Sequence, residues 1–220
     1  MNMAKRLVRW AVLTTAIGGG VMALAGEWTS PLLWAFVAGV SGTALYALIV
    51  IPPDLAQERF RPPTGGIDKT ALRWIRITAL ATVIVAPLDS GRFHWSPAIA
   101  DSVRAAAIGG MIAAFLLCFH AMTVNRFFSP VIRIQTDRGH RLVDAGPYAI
   151  IRHPGYAGMI LGVPLMAIAL GSWIGFGIAT LYSLLILNRV AVEDRFLQAN
   201  LPGYTEYASR VKSRLLPGIW

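Results

Sequence analysis

The segment that decides the fold is an apolar hairpin, AGMILGVPLMAIAL-GS-WIGFGIATLYSLLIL, which covers residues 157–187. Its arms, Ala157–Leu170 and Trp173–Leu187, contain no charged residue, and Gly171 and Ser172 supply the turn between them. A membrane-spanning helix needs about 20 apolar residues, so each arm is short for a full crossing. Pro164 is expected to kink the first arm. The pattern predicts two paired helices inside a membrane.

Four more apolar segments precede the hairpin, at residues 10–25, 31–51, 72–88 and 103–124. The chain has 220 residues, of which 55% are hydrophobic and 14% are charged, whereas soluble domains carry about 25% charged residues. The mean hydropathy of +0.57 points the same way. The sequence therefore predicts an all-α fold, a polytopic integral membrane helical bundle of about six membrane segments with a cytoplasmic helical tail. The breaker-rich stretch 52–66 predicts an irregular loop.

Basic residues alternate between the loops. They gather at the N-terminus, in residues 52–76, in residues 125–153 and in the tail after residue 188, and the other loops contain few of them. Because Lys and Arg mark cytoplasmic loops, we expect both termini to face the cytoplasm, in the inner membrane of a prokaryote. The N-terminal basic residues are interpreted as the cap of a retained first helix. The same rule and anionic lipids account for the net charge of +9, so no nucleic-acid partner is expected.

The segment directly before the hairpin, GPYAIIRHPGYAG from Gly146 to Gly158, predicts a ligand site. Its glycines allow close approach of the backbone to a ligand. Tyr148 and Tyr156 offer ring faces and hydroxyl groups, and Arg152 offers a forked donor for a carboxylate. A dense polar segment of this kind at a membrane boundary requires internal partners or a ligand. Singly, these residues would be ordinary interfacial anchors.

Two further polar groups follow the hairpin. Arg189 and Glu193 are four residues apart and share one helix face, which fits either a site or a simple intrahelical ion pair. Asp194 follows directly. Tyr204 and Tyr207 lie in a segment, residues 204–213, that predicts an amphipathic helix with aromatic anchors. The topology places all of these residues on the same side of the membrane as the segment before the hairpin.

Metal, disulfide and phosphate-loop chemistry have no support in the sequence. The four histidines show no ligand spacing, and no metal site is predicted. Cys118 is the single cysteine, so it cannot form an intramolecular disulfide. No glycine-rich loop of the P-loop or dinucleotide type is present.

Taken in order, the motifs resemble the isoprenylcysteine carboxyl methyltransferase family and its relatives, the phospholipid N-methyltransferases. The resemblance covers residues 135–220 and predicts a division into N-terminal membrane helices, 1–134, and a catalytic region, 135–220. The first 134 residues carry no family signal. The motifs are Gly146-Pro147-Tyr148, then Arg152-His153-Pro154-Gly155-Tyr156-Ala157-Gly158, then Arg189 with Glu193-Asp194, then Tyr204 with Tyr207, and finally Pro217-Gly218.

The resemblance implies S-adenosylmethionine as methyl donor and a membrane-partitioning acceptor. The acceptor is expected to be a carboxylate of the isoprenylcysteine type or another small amphiphile. The resemblance assigns Arg189 to orienting the acceptor, and Glu193 is the one placed candidate for a base. Asp194 departs from the family pattern, in which Glu is common at that position. The cofactor contacts expected are Tyr148, Arg152, His153, Tyr156, Gly158, Glu193, Asp194, Tyr204 and Tyr207.

Two other classes of function remain open at this point. A membrane reductase of the sterol-reductase type, dependent on NADPH, shares the architecture and a related Arg-His-Pro run. Gly155 and Met159 depart from that pattern, which has Asn and an acidic residue at these places. A non-enzymatic transporter or scaffold would carry ionisable residues deeper in the membrane, whereas here they gather on one side. Oligomeric state and the methylated atom are not encoded in any pattern.

Overall fold

The computed structural model describes residues 3–60 and 66–220, and this part consists of eight α-helices joined by loops and short turns. An isolated antiparallel bridge joins Ile67 to Ile132, and the described residues contain no longer β-strand. The predicted all-α bundle is confirmed. The helices are α1 Met3–Ala25, α2 Pro31–Val50, α3 Pro53–Phe60, α4 Lys69–Pro87, α5 Asp101–Val124, α6 Pro154–Ala169, α7 Trp173–Asn200 and α8 Tyr204–Arg210.

Five helices in the described part are long and apolar enough to cross a membrane: α1, α2, α4 with its π-helical extension Leu88–Phe93, α5 and α7. Large apolar side chains on α1, α2 and α4 face outward, as lipid contact requires. The chain is therefore an integral membrane protein. The first hairpin arm, α6, has 16 residues and a length of about 24 Å, less than the hydrocarbon core of about 30 Å.

The second hairpin arm continues beyond residue 187 as one helix with the segment that follows it. Helix α7 has 28 residues and runs without a break through Arg189 and Glu193 to Asn200. At 1.5 Å per residue it is about 42 Å long, so it extends beyond the hydrocarbon core. This single helix joins the apolar hairpin rigidly to the polar residues that follow it.

The expectation of an irregular loop at residues 52–66 was wrong for residues 53–60, which form α3. Residues 61–65 lie outside the described residues. A proline is favourable in the first helical position, and an acid near the start with a base near the end complements the helix dipole, as Asp54 and Arg59 do here. Leu55 is fully buried against Cys118 and Met122 of α5. This single buried apolar side chain, in a segment otherwise rich in prolines and charged residues, packs α3 against the bundle.

The hairpin forms the centre of the bundle, because α6 packs against α5 and α7, and α7 packs against α4. Gly158 permits the close approach of α6 to α5: a Cβ atom there would lie 2.4 Å from the carbonyl oxygen of Ala114. The hydroxyl of Ser172 caps α7 by accepting from the amide of Gly175 at 2.7 Å. It also donates to the buried carboxylate of Asp89. These contacts fix the turn of the hairpin at the end away from the polar segments.

The tail folds back onto the start of α6. Helix α8 ends at Arg210, within the predicted segment 204–213. The amides of Arg152 and His153 then donate to the carbonyl oxygens of Ser213 and Arg214, at 3.0 and 2.9 Å. The tail is therefore a structural part of the region around the segment before the hairpin.

Candidate functional site

A cavity of about 70 Å³ lies where the segment before the hairpin, α7, the tail and the loop after α5 meet. One wall is formed by residues 148–156 together with Glu193, Leu201 and the α8 tyrosines. The other is formed by the loop 125–143. We call these the inner wall and the loop wall. The cavity thus joins sequence segments that are far apart in the chain.

Seven of the ten residues singled out from the sequence line this cavity, and three do not. Gly158 lies in the contact between α6 and α5. Arg189 and Asp194 lie behind the cavity surface, with 2% and 0% of their surface exposed. The lining residues among the predicted ones are Tyr148, Arg152, His153, Tyr156, Glu193, Tyr204 and Tyr207.

Tyr156 stands between Arg189 and Glu193. Its hydroxyl donates to Oε2 of Glu193 at 2.6 Å and accepts from Nε of Arg189 at 3.0 Å. The described residues show no direct ion pair between the two charges, so the alternative of a simple intrahelical pair does not hold. The Arg189 guanidinium is also anchored by the carbonyl oxygen of Pro130 at 2.6 Å. Glu193 is half-buried and keeps its second carboxylate oxygen free of protein donors among the described residues.

Asp194 has the opposite environment to its neighbour. It is fully buried and accepts a forked pair of hydrogen bonds from Arg152, at 2.8 and 3.0 Å. Tyr204 donates to it at 3.0 Å, Gln198 at 2.9 Å and Arg214 at 3.0 Å. Consecutive residues of a helix point about 100° apart, which is why one acid reaches the cavity and the next does not. Asp194 joins α7, the inner wall and the tail.

His153 and Arg152 are both committed to this cluster. Nε2 of His153 lies 3.2 Å from Oδ1 of Asp194. Arg152 gives its fork to Asp194 and its remaining terminal nitrogen to the carbonyl oxygens of Val211 and Lys212. Burial alone would lower the pKa of the Arg152 guanidinium, but the hydrogen bonds and charge of Asp194 outweigh burial and raise it. Its forked donor, expected for a ligand carboxylate, is therefore used inside the protein.

The remaining tyrosines of the inner wall are hydrogen-bond donors. The hydroxyl of Tyr207 donates to the carbonyl oxygen of Tyr148 at 2.7 Å, and that of Tyr148 to Ala121 at 3.3 Å. Burial raises the pKa of Tyr148, Tyr204 and Tyr207 well above the ordinary value. These phenols stay neutral at physiological pH, so they present ring faces to the cavity rather than a base.

The loop wall contains the lining residues that sequence reasoning missed. Phe127 stacks on His140 with ring centres 4.6 Å apart. Burial, together with the charges of Arg133 and Arg138, lowers the pKa of His140. The exposed Arg141 lines the cavity without a hydrogen-bond or ion-pair partner in the described residues. The clustering of arginine and aromatic residues in 125–143 is the signal that could have indicated this wall.

The loop wall is held by α3. Nη2 of Arg133 pairs with the buried carboxylate of Glu58 at 3.1 Å, and Ser129 donates to the same group at 2.9 Å. Asp54 pairs with Arg126 at 3.1 Å and with Arg138 at 3.0 Å. A helix from the N-terminal half thus supports a wall of the cavity.

The fold and cavity define a polytopic membrane protein with a polar site at one end of its bundle. In comparisons with known proteins, the model of the Isoprenylcysteine carboxyl methyltransferase (ICMT) family matches residues 106–199. The resemblance predicted from the motifs is confirmed as a likeness to this family over residues 106–199. The match begins within α5 and ends at the last turn of α7, so it includes the whole loop wall, the first hairpin helix and nearly all of the second.

Individual relatives agree with this result. The chain is 32% identical to Protein-S-isoprenylcysteine O-methyltransferase B from Arabidopsis thaliana, over 42% of this chain and 48% of the relative. A probable protein-S-isoprenylcysteine O-methyltransferase from Oryza sativa subsp. indica is 32% identical over 43% and 50%. The Cobalt-zinc-cadmium resistance protein CzcN from Cupriavidus metallidurans is 28% identical over 60% and 57%. The chain therefore spans about half the length of the curated relatives it matches.

Metal binding has no structural support in the part of the chain that the structure describes, despite the name of the last relative. No three His, Cys, Asp or Glu side chains come together there as a metal ion would require. The acids of the site are bonded to Arg, Tyr and Gln side chains instead.

Proposed function

We propose that this protein is a membrane methyltransferase that transfers the methyl group of S-adenosylmethionine to an acceptor dissolved in the bilayer. The observation that carries the proposal is the pair formed by Tyr156 and Glu193. The pair presents a half-buried carboxylate to a cavity lined by aromatic rings. The ICMT-like family of residues 106–199 supports the same chemistry.

The lining residues fit the groups of this cofactor. Its sulfonium cation would lie against the rings of Tyr148, Tyr156 and Tyr204, an attraction of about 0.5–2 kcal/mol. Glu193 would pair with its amino group. Its carboxylate would be bound by Arg141, because the fork of Arg152 is already used by Asp194. This assignment moves the predicted carboxylate contact from the inner wall to the loop wall.

Binding requires the cavity to widen. Pockets for ligands of this size measure about 300–1,000 Å³, whereas the cavity measures about 70 Å³. The inner wall is fixed by the buried cluster around Asp194. The loop wall is held to α3 by one buried ion pair, that of Glu58 with Arg133, and otherwise by pairs of Asp54 that are partly exposed. We therefore expect residues 125–143 to move outward when the cofactor binds.

The bound cofactor supplies an electrophilic methyl group, and the protein supplies alignment. Holding the reacting groups in line contributes about 7–11 kcal/mol in favourable cases. Arg189 fixes the hydroxyl of Tyr156, which in turn fixes the Glu193 carboxylate. A carboxylate acceptor needs no base. An amine or alcohol acceptor would lose a proton, and Glu193 is the acid placed to accept it.

The same geometry supports an acceptor that comes from the bilayer and an orientation of the chain in the membrane. The cavity lies at one end of a membrane bundle, so an acceptor that partitions into the bilayer can reach it sideways between helices. A carboxylate amphiphile of the isoprenylcysteine type fits this route. The basic loops at the cavity end support an orientation in which the cavity and both termini face the cytoplasm, in the inner membrane of a prokaryote.

Calorimetric titration of the purified full chain with S-adenosylmethionine and with NADPH tests the proposal. We expect binding of S-adenosylmethionine and none of NADPH. Glu193→Gln removes the charge that pairs with the amino group, so affinity should fall about tenfold to a hundredfold. The matched control is Glu206→Gln, an exposed acid of α8 outside the cavity, which should leave affinity unchanged. Binding of NADPH alone would reject the methyltransferase in favour of the reductase.

A further inference from the structure

Phe128, in the loop wall, lies at the boundary between the cavity and an apolar cluster beside it. In the part of the chain that the structure describes, it is the one side chain that both lines the cavity and packs against this cluster. The cluster comes from α3, α5, α6 and the end of α2. Its buried members are Leu55, Cys118 and Met122, and Ile51, Phe119 and Met159 pack around them, partly buried. The polar cavity and the apolar side of the bundle therefore meet at one aromatic ring.

Close contacts define the position of this ring. A Cβ atom at Gly155 would lie 2.3 Å from Cε2 and 2.6 Å from Cζ of Phe128, so the edge of the ring rests directly on the backbone of α6. The ring centre is 6.4 Å from that of Tyr156. The central carbon of the Arg59 guanidinium lies over the ring, 5.1 Å from its centre, as in a cation–π contact. The missing side chain of Gly155 is what leaves room for the ring.

Cys118 lies directly behind the ring, away from the cavity. A Cβ atom at Gly158 would be 2.9 Å from the Cβ atom of Cys118. Gly155 and Gly158 are three residues apart and share one face of α6. Phe128 therefore covers the first turn of this face and Cys118 the next. The Cys118 side chain is 2% exposed, so the ring and its neighbours seal it from the cavity.

The ring of Phe128 is easier to displace than the other aromatic groups of the site. The hydroxyl groups of Tyr148, Tyr156 and Tyr207 are hydrogen-bonded inside the protein, so these rings cannot turn without losing a bond. A phenylalanine ring makes no such bond, and it can change rotamer about two side-chain bonds. The loop wall thus contains a side chain that can open a path between the cavity and the apolar cluster while the inner wall keeps its hydrogen bonds.

We propose that Phe128 is a gate through which the acceptor enters the cavity from the bilayer. The inference rests on the proposed function for the identity of the cavity, and it adds the route of entry and the residue that controls it. When the ring turns aside, the group to be methylated passes between the apolar cluster and Gly155 and reaches the side of the cavity where Tyr156 and Glu193 lie. The contact with Arg59 favours the closed position.

The single cysteine of the chain reports on this gate. The purified full-length protein in neutral detergent, without cofactor, is treated with a negatively charged, water-soluble methanethiosulfonate, and labelling is followed by intact mass. Buried thiols are inert, so we expect slow labelling of Cys118 in the wild type and labelling about tenfold faster in Phe128→Ala. The matched control is Phe127→Ala, the same change at a lining residue outside the apolar cluster, which should label at the wild-type rate.

A second measurement tests entry from the bilayer. In a Cys118→Ala background, Leu197→Cys introduces a thiol at a residue that lines the cavity. Dodecyl methanethiosulfonate, delivered from the lipid of a nanodisc, should react with this thiol about tenfold faster when Phe128→Ala is added, because the path past the ring is then open. Equal rates with and without Phe128→Ala would overturn this route of entry.

Both measurements omit S-adenosylmethionine, so they separate the gate from the proposed function. Faster labelling of Cys118 in Phe128→Ala supports the gate even if calorimetry shows no cofactor binding, a result that would reject the methyltransferase alone. Labelling equal to that of the wild type, or equal in Phe128→Ala and Phe127→Ala, overturns the gate even if the cofactor binds. If Phe128→Ala does not fold, Gly155→Ala decides, because the added methyl group has to displace the ring and should speed labelling in the same way.

Discussion

The two walls of the cavity are fastened in different ways. The inner wall is tied by one fully buried carboxylate, Asp194, to the guanidinium groups of Arg152 and Arg214 and to the ring of His153. The loop wall is tied to α3 by Glu58, which is buried, and by Asp54, which is 42% exposed. Buried pairs are costly to break, whereas exposed pairs contribute little. The comparison suggests a fixed wall that positions chemistry and a movable wall that admits ligands.

The two adjacent acids of α7 show the same contrast at the scale of single residues. Asp194 has all its bonds inside the protein, and Glu193 has one, to Tyr156. The first is therefore suited to holding structure and the second to meeting a ligand. Substitutions at the two positions should separate stability from binding.

Asp194→Asn should have the largest effect. Removing the charge leaves Arg152 buried without its counter-ion, and losing one partner of a buried pair costs about 3–5 kcal/mol. We expect the free energy of unfolding in detergent to fall by about this amount, and the tail after α8 to become sensitive to protease. Asp144→Asn, which breaks the exposed pair with Arg210, is the control and should cost about 0–1 kcal/mol. Equal losses in the two variants would contradict the buried tie.

Tyr156→Phe should lower methyl transfer with less loss of stability than Asp194→Asn. Without the hydroxyl, Glu193 loses its donor and Nε of Arg189 loses its acceptor. Methyl transfer from labelled S-adenosylmethionine to membrane extract should fall about tenfold to a hundredfold, mainly through misplaced groups. Tyr46→Phe, on α2 and outside the cavity, serves as control and should retain activity. Activity of Tyr156→Phe equal to that of the wild type would show that the hydrogen bonds from Arg189 to Tyr156 and from Tyr156 to Glu193 do not contribute to the site.

Glu58→Gln should loosen the loop wall without touching the cavity. Arg133 would lose a charged partner, so amide hydrogen exchange in residues 126–138 should become faster. Cofactor affinity should fall only about threefold to fivefold, because the wall is less pre-organised. Asp54→Asn breaks more exposed pairs and should have a smaller effect on the same exchange rates. Faster amide exchange in Asp54→Asn than in Glu58→Gln would contradict the assignment of Glu58 as the main contact that holds the loop wall.

The smallest effect concerns pH. The pKa of His140 is lowered by burial and by the positive charges of Arg133 and Arg138. A histidine of this kind favours the neutral form in the folded state, so its contribution is complete above pH 6.5, its ordinary value. The contribution is lost as pH falls toward the lowered pKa. Stability measured from pH 7.5 to 5 should decline less in His140→Gln than in the wild type. A slope unchanged by this substitution would show that the group does not titrate there.

The sequence predicted the parts of this molecule that follow from local pattern. Apolar length predicted the membrane helices, and the turn at Gly171 and Ser172 predicted the hairpin. Helix α3 was missed because its stability comes from Leu55 packing on α5, a contact between distant segments. The local pattern of charges and prolines does not predict a contact between distant segments.

The site was predictable to a similar extent. The motifs singled out Tyr148, Tyr156 and Glu193, and all three line one cavity. They could not show that Asp194 and the fork of Arg152 satisfy each other, because that depends on the rotation of α7 against the inner wall. The loop wall was missed since its side chains converge only through α3. Whether each lining residue contacts the cofactor stays a prediction.

The most direct test of the account is amide hydrogen exchange of the full-length protein in detergent, with and without S-adenosylmethionine. The account predicts that the cofactor slows exchange in residues 125–143 strongly, because the movable wall, once displaced outward, is held by its contacts with the bound cofactor. In residues 146–158 and around α8 it predicts a weaker change, because that wall is already fixed. Slowing confined to other parts of the chain, or no slowing at saturating cofactor, would contradict the claim that this cavity is the methyl-donor site.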